Sequence, residues 1–268
     1  MIRNKKKIEL SKERKEFLRK IKKQKIFIIT AQIILIIGFI SIWEILANNG
    51  IIDSFITSSP SRIIKTLLNL SENNLVEHIT VTCIETITGF LLGTFLGFIV
   101  AVVLWWSKVT SKIMEPFLVV LNSLPKIALG PIIIIWVGAG TEAIIIMALA
   151  ISLIVTILEI LNGFINTDKE LIKMAQTFHA KKYQILTKIV IPANKKTFFN
   201  SLKVNIGLSL VGVISGEFLV SKAGLGYLIV YGGQVFKLDL VMASVIILAL
   251  VAGLMYLSVV TLEKIFVK

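Results

Sequence analysis

Cysteine is almost missing from this chain. Cys83 stands alone, so no internal disulfide forms and no thiol pair is available for redox chemistry or thiolate zinc binding. The two histidines, His78 and His179, lie far apart and without metal-ligand spacing, so no metal site is expected. No Walker-type phosphate loop, no GxGxxG turn and no nucleophile elbow occurs. The chain is therefore expected to bind no cofactor of its own and not to be an enzyme. Acidic residues are also scarce, 16 against 29 lysines and arginines, which leaves a formal charge of +13. Such a charge suggests a nucleic-acid partner until its placement is known.

What fills the chain instead is apolar sequence, with 56% hydrophobic residues and a mean hydropathy of +0.87. Several apolar runs of 18 or more residues exclude a soluble domain and define an all-α integral membrane protein. Six hydrophobic spans are predicted, at about 26–48, 82–106, 116–137, 141–162, 203–221 and 240–262. The first, beginning IFIITAQIILIIGFISIW, is long enough to cross a hydrocarbon core of roughly 30 Å at about 1.5 Å per residue. The basic stretch before it is too long for a signal-peptide n-region and no small-residue cleavage site follows, so it reads as a retained span.

The basic residues now sort by side. Twenty-four fall in the N-terminal segment 1–25, in the loops after spans two and four, and at the C-terminus. Only Arg62, Lys65, Lys222 and Lys237 occupy the alternate loops, and Lys126 lies within a span. The positive-inside rule then puts both termini in the cytoplasm and removes the case for nucleic acid. Segment 1–25 reads as a solvated topology anchor, with attraction to anionic lipid through Ile8, Phe17, Leu18 and Ile21 as the alternative.

Between spans four and five runs a polar, lysine-bearing loop, 167–196, whose segment Leu171 to Pro192 reads LIKMAQTFHAKKYQILTKIVIP. Thr167 and Glu170 have capping-box spacing, so a helix is predicted from Asp168 with Leu171, Met174, Ala175 and Phe178 on one face. A second helix is predicted over Lys181 to Val190, with Tyr183, Leu186 and Ile189 or Val190 on its apolar face. Pro192 is expected to end it, and a turn at His179-Ala180 joins the two into a compact knob. An ordinary interfacial linker would show the same pattern.

These residues carry a resemblance. Segment 171–192 is similar to the EAA loop of ABC importer permeases, where a Glu-Ala-Ala triplet, a glycine and a later proline frame the coupling helix. Here the triplet positions hold Lys173, Met174 and Ala175, the glycine position holds His179, and the proline is Pro192. Histidine reaches positive φ less easily than glycine, and Lys173 in place of the acid implies a partner with a compensating acid. Further segments, FITSSPSRI at 55–63, ETITGFLLGTFLGFIVAVVL at 85–104, LNSLPKIALGPIIIIWVGAG at 121–140 and GEFLVSKAGLGYLI at 216–229, resemble the nitrate, sulfonate, taurine and bicarbonate subfamily. Val155 and Glu159 depart from that pattern, where the family tends to have proline and asparagine.

The resemblance implies a type I ABC importer permease fold, with a transmembrane domain over about 78–262, in a bacterial cell membrane. It implies a homodimer of permeases, two ATPase subunits that use ATP and Mg, and an extracytoplasmic solute-binding protein. Coupling to the ATPases is then expected at Lys173, Met174, Ala175, His179, Ala180, Tyr183, Leu186 and Pro192. ATP-driven closure of the ATPases would draw the knobs together and turn the spans outward, and hydrolysis would reset them.

Pro125, Lys126, Pro131, Glu217, Gly224 and Gly226 are expected along the pathway or its gate. Pro125, Gly130 and Pro131 interrupt span three, which points to a water-lined pathway or to a kinked packing helix. Lys126, beside the break, costs about 2.5–3.5 kcal/mol at mid-membrane unless partnered, so it is a candidate for attracting an anionic solute or for a structural role. Glu217, with Gly224 and Gly226, is expected in or beside the outer gate; Glu44 and Glu85 are expected to be structural, with interfacial water easing their cost. Gly89, Gly93 and Gly97 recur every fourth residue, as close helix packing requires, within one subunit or across a dimer. A self-contained channel or carrier would need inverted repeats or a polar filter, and neither is visible. A membrane anchor for an ATPase complex without a binding protein is the remaining alternative.

Overall fold

The computed structural model describes residues 12–68 and 74–267, all of them helix, turn or coil without a strand. Ile8 and the rest of residues 1–11, like Lys268, lie outside the described residues. Two compact units divide between Ile64 and Lys65.

The first unit is built on α1, Lys12–Asn48, in which residues 12–25 of the basic segment and the first span form one continuous helix. A short α2, Ser54–Thr57, starts at Asp53, whose carboxylate accepts from Phe55 N at 2.8 Å. α3, Pro60–Leu68, begins at a proline, a position where no amide hydrogen is needed. Glu44, expected to be structural, accepts from Asn48 Nδ2 and from Ser61 N, each at 3.0 Å, so its carboxylate satisfies a free amide in the first turn of α3.

The second unit is a layer of long helices. α4 spans Leu75–Trp106; at about 1.5 Å per residue its 32 residues exceed the thickness of a hydrocarbon core. Ser107 then caps α5, Lys108–Ser123, by accepting from Thr110 N at 3.2 Å. A 3₁₀ turn, Lys126–Leu129, leads into α6, Gly130–Val137. α7, Thr141–Ile165, α11, Lys195–Val220, and α13, Leu238–Phe266, are single long helices. Between α7 and α11 lie α8, Lys169–Thr177, α9, Lys182–Ile185, and α10, Ile191–Ala193. α12, Leu225–Gln234, sits between α11 and α13.

Among the described residues five helices are long and apolar enough to cross a membrane, and α5 with its continuation to Val137 forms a sixth candidate bent by 85°. Span three is thus no continuous helix over 116–137. Pro125 offers no amide hydrogen and forces Leu124 into extended backbone, φ −67 and ψ 142, while Pro116 is accommodated inside α5.

α7 packs between α4 and α11, and small residues set the distance. A Cβ added at Gly89, Gly93 or Gly97 would meet Ala148, Ser152 or Thr156 of α7, while Gly212 and Gly216 of α11 lie against the α7 backbone at Ala148 and Ile144. The every-fourth glycines of α4 therefore serve packing within one chain. Ser152 and Thr156 donate back to the carbonyls of Ala148 and Ser152, which removes their hydroxyls from the apolar contact.

Candidate functional site

Two constellations stand at opposite ends of the α4–α7–α11 layer. The first is the predicted knob. Asp168, rather than Thr167, caps α8, its carboxylate accepting from Glu170 N at 2.8 Å. Thr167 instead closes the end of α7: its hydroxyl donates to the Gly163 carbonyl and accepts from Asn194 Nδ2 at 2.7 Å. The same Asn194 nitrogen donates to the Val190 carbonyl, so one side chain ties the exit of the knob to its entrance.

α8 ends as the His179 turn requires. His179 has φ of +56°, its amide donates to the Gln176 carbonyl at 2.9 Å, and the Ala180 amide reaches back to Ala175 at 3.0 Å. This pair of bonds is a Schellman motif, with histidine in the left-handed position that glycine usually holds. Ala175 and Ala180 pack together into the core beneath.

The second half of the knob departs from expectation. After α9 the chain widens into a π-helical turn, Leu186–Val190, and continues through Pro192 into α10. Proline does not end the helix here, because the wider turn leaves no carbonyl in the place its ring would strike. Ile185, Leu186 and Val190 are buried against Ala101, Leu104, Ile157 and Phe164, a cluster that roots the knob in α4 and α7. Leu186 is only 4% exposed, so it holds the knob in place and is not on its surface.

The outward face of α8 is the reverse. Leu171, Met174 and Phe178 are 40, 51 and 80% exposed, and Tyr183 of α9 is 65% exposed. Of the face predicted for α8, Ala175 alone turns inward, with Ile172 beside it. Lys173 lies on the opposite side of the helix, and Pro192 is exposed at the exit. Lys182 was missed in the sequence. Its ammonium donates to the Trp106 carbonyl at the end of α4 and lies 5.8 and 5.7 Å from the ring centroids of Trp105 and Trp106. The Trp-Trp pair closing span two was the available signal.

The second constellation surrounds Glu217, which is 1% exposed near the end of α11. Its carboxylate accepts from Thr82 Oγ1 at 2.6 Å and from Gly226 N at 2.5 Å. Thr82 in turn accepts from Leu225 N at 2.8 Å, and His78 Nδ1 accepts from Gly224 N at 2.9 Å. Three successive amides at the start of α12 are thus held by α4 and α11 side chains, so the orphan donors of a helix start become the clasp. Gly224 has φ of +120°, and a Cβ at Gly224 or Gly226 would fall on the Glu217 carboxylate. Tyr227 stacks on His78 at 5.7 Å and on Tyr231 at 5.9 Å.

Glu85 belongs to this cluster, contrary to the expectation of interfacial water at the start of a span. It is buried, its carboxyl meets Glu217 and Thr141, and its Oε2 has no partner among the described residues. Glu159, one of the departures noted in span four, also leaves Oε2 buried and unpartnered. At the bend before α6, the Lys126 ammonium donates to the Asn122 carbonyl at 2.9 Å and Oδ1 at 3.3 Å, a cation placed on the last carbonyls of α5. Pro125 and Pro131 flank it on exposed backbone, and Gly130 packs against Leu219 and Met147.

A layered, multi-pass helical membrane protein with a polar knob rooted between two spans is the architecture of a transport permease. Residues 93–268 match the family described as binding-protein-dependent transport system inner membrane component. The chain is 30% identical to a probable ABC transporter permease protein of Haemophilus influenzae, over 84% of this chain and 92% of that one. It is 26% identical to a putative aliphatic sulfonates transport permease protein of Bacillus subtilis (80% and 78% covered) and 26% identical to a formylaminopyrimidine transport permease protein of Halalkalibacterium halodurans (84% and 89%). An inward-facing structure of the MetNI methionine ABC transporter shares the fold, with a TM-score of 0.63, 15% identity, and 72% of this chain and 98% of that chain covered. The chain belongs to the family of binding-protein-dependent transport system inner membrane components. It is a permease subunit of an ABC importer, and the ATP hydrolysis that drives such a system lies in partner subunits.

Proposed function

We propose that this permease works as a homodimer with both termini in the cytoplasm, carrying a small polar or anionic solute handed over by an extracytoplasmic binding protein. Relatives named for sulfonate and formylaminopyrimidine transport support that solute range. The chain itself holds no cofactor; ATP and Mg are used by two ATPase subunits seated on the knobs. Ala175, Ala180, Leu186 and the His179 turn give the knob its shape, Met174 and Tyr183 make contact, Lys173 on the far side of α8 stays out of that contact, and Pro192 carries the motion into α11.

One observation carries this reading: the apolar face of Leu171, Met174, Phe178 and Tyr183 is exposed on a knob rooted in the core through Ala175, Ile185, Leu186 and Val190. A rigid, well-rooted projection with an uncovered apolar face suits a lever gripped by a partner, since force applied to it passes into α7 and α11 without loss in a flexible loop. Pro125, Lys126 and Pro131 then line the pathway at the bend, and Glu217 with Gly224 and Gly226 forms the gate at the end of the layer away from the knob. The test is co-purification of the cognate ATPase. Met174→Asp with Tyr183→Asp abolishes capture while the permease stays folded, because both side chains are exposed; undiminished capture overturns the reading. Leu186→Asp is unsuited to this test, since it would place a charge in the core.

A further inference from the structure

Behind the coupling helix lies a cleft of about 820 Å³, bounded by α5, the end of α7, α8 and α9. It is lined by the face of α8 opposite the docking face: Lys169, Ile172, Lys173 and Gln176 follow the i, i+3, i+4, i+7 spacing, whereas Leu171, Met174 and Phe178 follow it on the other side. α5 contributes Lys108 and Lys112, and α9 contributes Lys182. Glu115 is the single acid on the wall.

This charge arrangement is unfavourable as it stands. Lys108 and Lys112 are like charges four residues apart on one helix, and Lys169 and Lys173 repeat the pattern on the helix across the cleft. None of these four lysines has an ion pair or hydrogen-bonding partner among the described residues, and Glu115 pairs with none of them. Lys108 is moreover the first residue of α5, where the helix dipole already favours negative charge and the first turn contains no acid, whereas Asp168 and Glu170 supply that charge at the start of α8. Two cationic pairs and the start of α5 therefore face one roomy space whose lining carries five lysines against one acid, Glu115. Trp105, Phe164 and Ile165 add apolar wall beside the charges.

We propose that this cleft binds a phosphate-bearing anion, held between Lys108 and Lys112 on one side and Lys169 and Lys173 on the other. Occupancy braces the coupling helix against α5 and α7 from behind while its outer face remains free for the ATPase. The phosphate group is common to two sources, the headgroup of an anionic lipid and free phosphate. Its binding is measurable on the permease alone.

The full-length permease is purified in detergent and its thermal stability followed against inorganic phosphate, with sodium chloride at matched ionic strength as the control. In parallel, retention of phosphatidylglycerol against phosphatidylcholine is measured by native mass spectrometry. Lys108→Gln with Lys112→Gln is compared with Lys195→Gln with Lys196→Gln, an equal loss of charge outside the cleft. Wild type and the second pair bind at least one probe above its control, and the first pair binds about tenfold more weakly. A response to inorganic phosphate assigns the free anion, and selective retention of phosphatidylglycerol assigns the headgroup. If the double variant aggregates, Lys112→Gln alone is read in the same way, with about threefold weakening expected. The proposal is overturned if wild type binds neither probe above control, if both pairs weaken binding equally, or if the cleft variant keeps anion binding and loses ATPase capture instead.

Discussion

At the scale of single residues, Gly226 inverts an ordinary rule. Glycine inside a helix normally costs up to about 1 kcal/mol relative to alanine, so Gly226→Ala in α12 would stabilise the protein if helix propensity decided. Here an added Cβ meets the Glu217 carboxylate, and Gly226→Ala is expected to lower the melting temperature by the equivalent of about 1–3 kcal/mol. Adding Glu217→Ala removes the obstruction, so the double variant is less destabilised than the sum of the two single changes; strict additivity would refute the clasp. Lys126 gives a second test at this scale. Its ammonium sits on the last carbonyls of α5, so Lys126→Gln is expected to change stability by less than about 1 kcal/mol. Uptake of an anionic solute should fall in the same variant, and unchanged uptake with an unchanged pH profile would leave the residue a purely structural role. Glu217 and its two glycines were legible in the sequence as a group. Their bonding was not, because His78 and Thr82, which complete it, lie some 140 residues earlier and nothing local marks them as partners.

At the scale of elements, the knob shows where local rules hold and where packing overrides them. The His179 turn was legible because left-handed backbone has few candidate residues, and histidine is among those that tolerate it. His179→Gly is expected to preserve ATPase capture. His179→Val, β-branched and strained at φ of +56°, is expected to destabilise by about 1–3 kcal/mol in thermal melts and to weaken capture; equal behaviour of the two would contradict the turn's role. The second half was misread because Pro192 looked like a terminator. A π turn accommodates it instead, and burial of Leu186 and Val190 holds that turn in place. Helical periodicity of 3.6 also placed Leu186 on one apolar face with Tyr183, whereas Leu186 is buried against α4 and α7 and Tyr183 is exposed.

At the scale of the whole molecule, α7 is the element that both ends share. It packs closely on α4 through Gly89, Gly93 and Gly97, meets α11 at Gly212 and Gly216, and finishes at the knob. A larger residue at the centre of this layer should therefore disturb both ends. Gly93→Leu, driven against Ser152, is expected to lower thermal stability and to abolish ATP-driven uptake, whereas Gly207→Leu, with open space around it, is expected to do neither. Hydropathy alone indicated six spans, against five long apolar helices and one bent pair among the described residues. The 85° bend of the pair was not legible, since a run of apolar residues containing three prolines has the same mean hydropathy whether straight or folded back.

The central claim is that the knob is the cytoplasmic handle by which an ATPase drives this permease, and the lone cysteine makes a direct measurement possible. In a Cys83→Ser background, Phe178→Cys puts a single thiol at the exposed tip of α8. A membrane-impermeant maleimide is predicted to leave it unlabelled in intact cells, to label it in inverted vesicles stripped of the ATPase, and to be blocked once the ATPase is restored. Labelling in intact cells, or labelling in inverted vesicles that the ATPase does not diminish, would contradict the account.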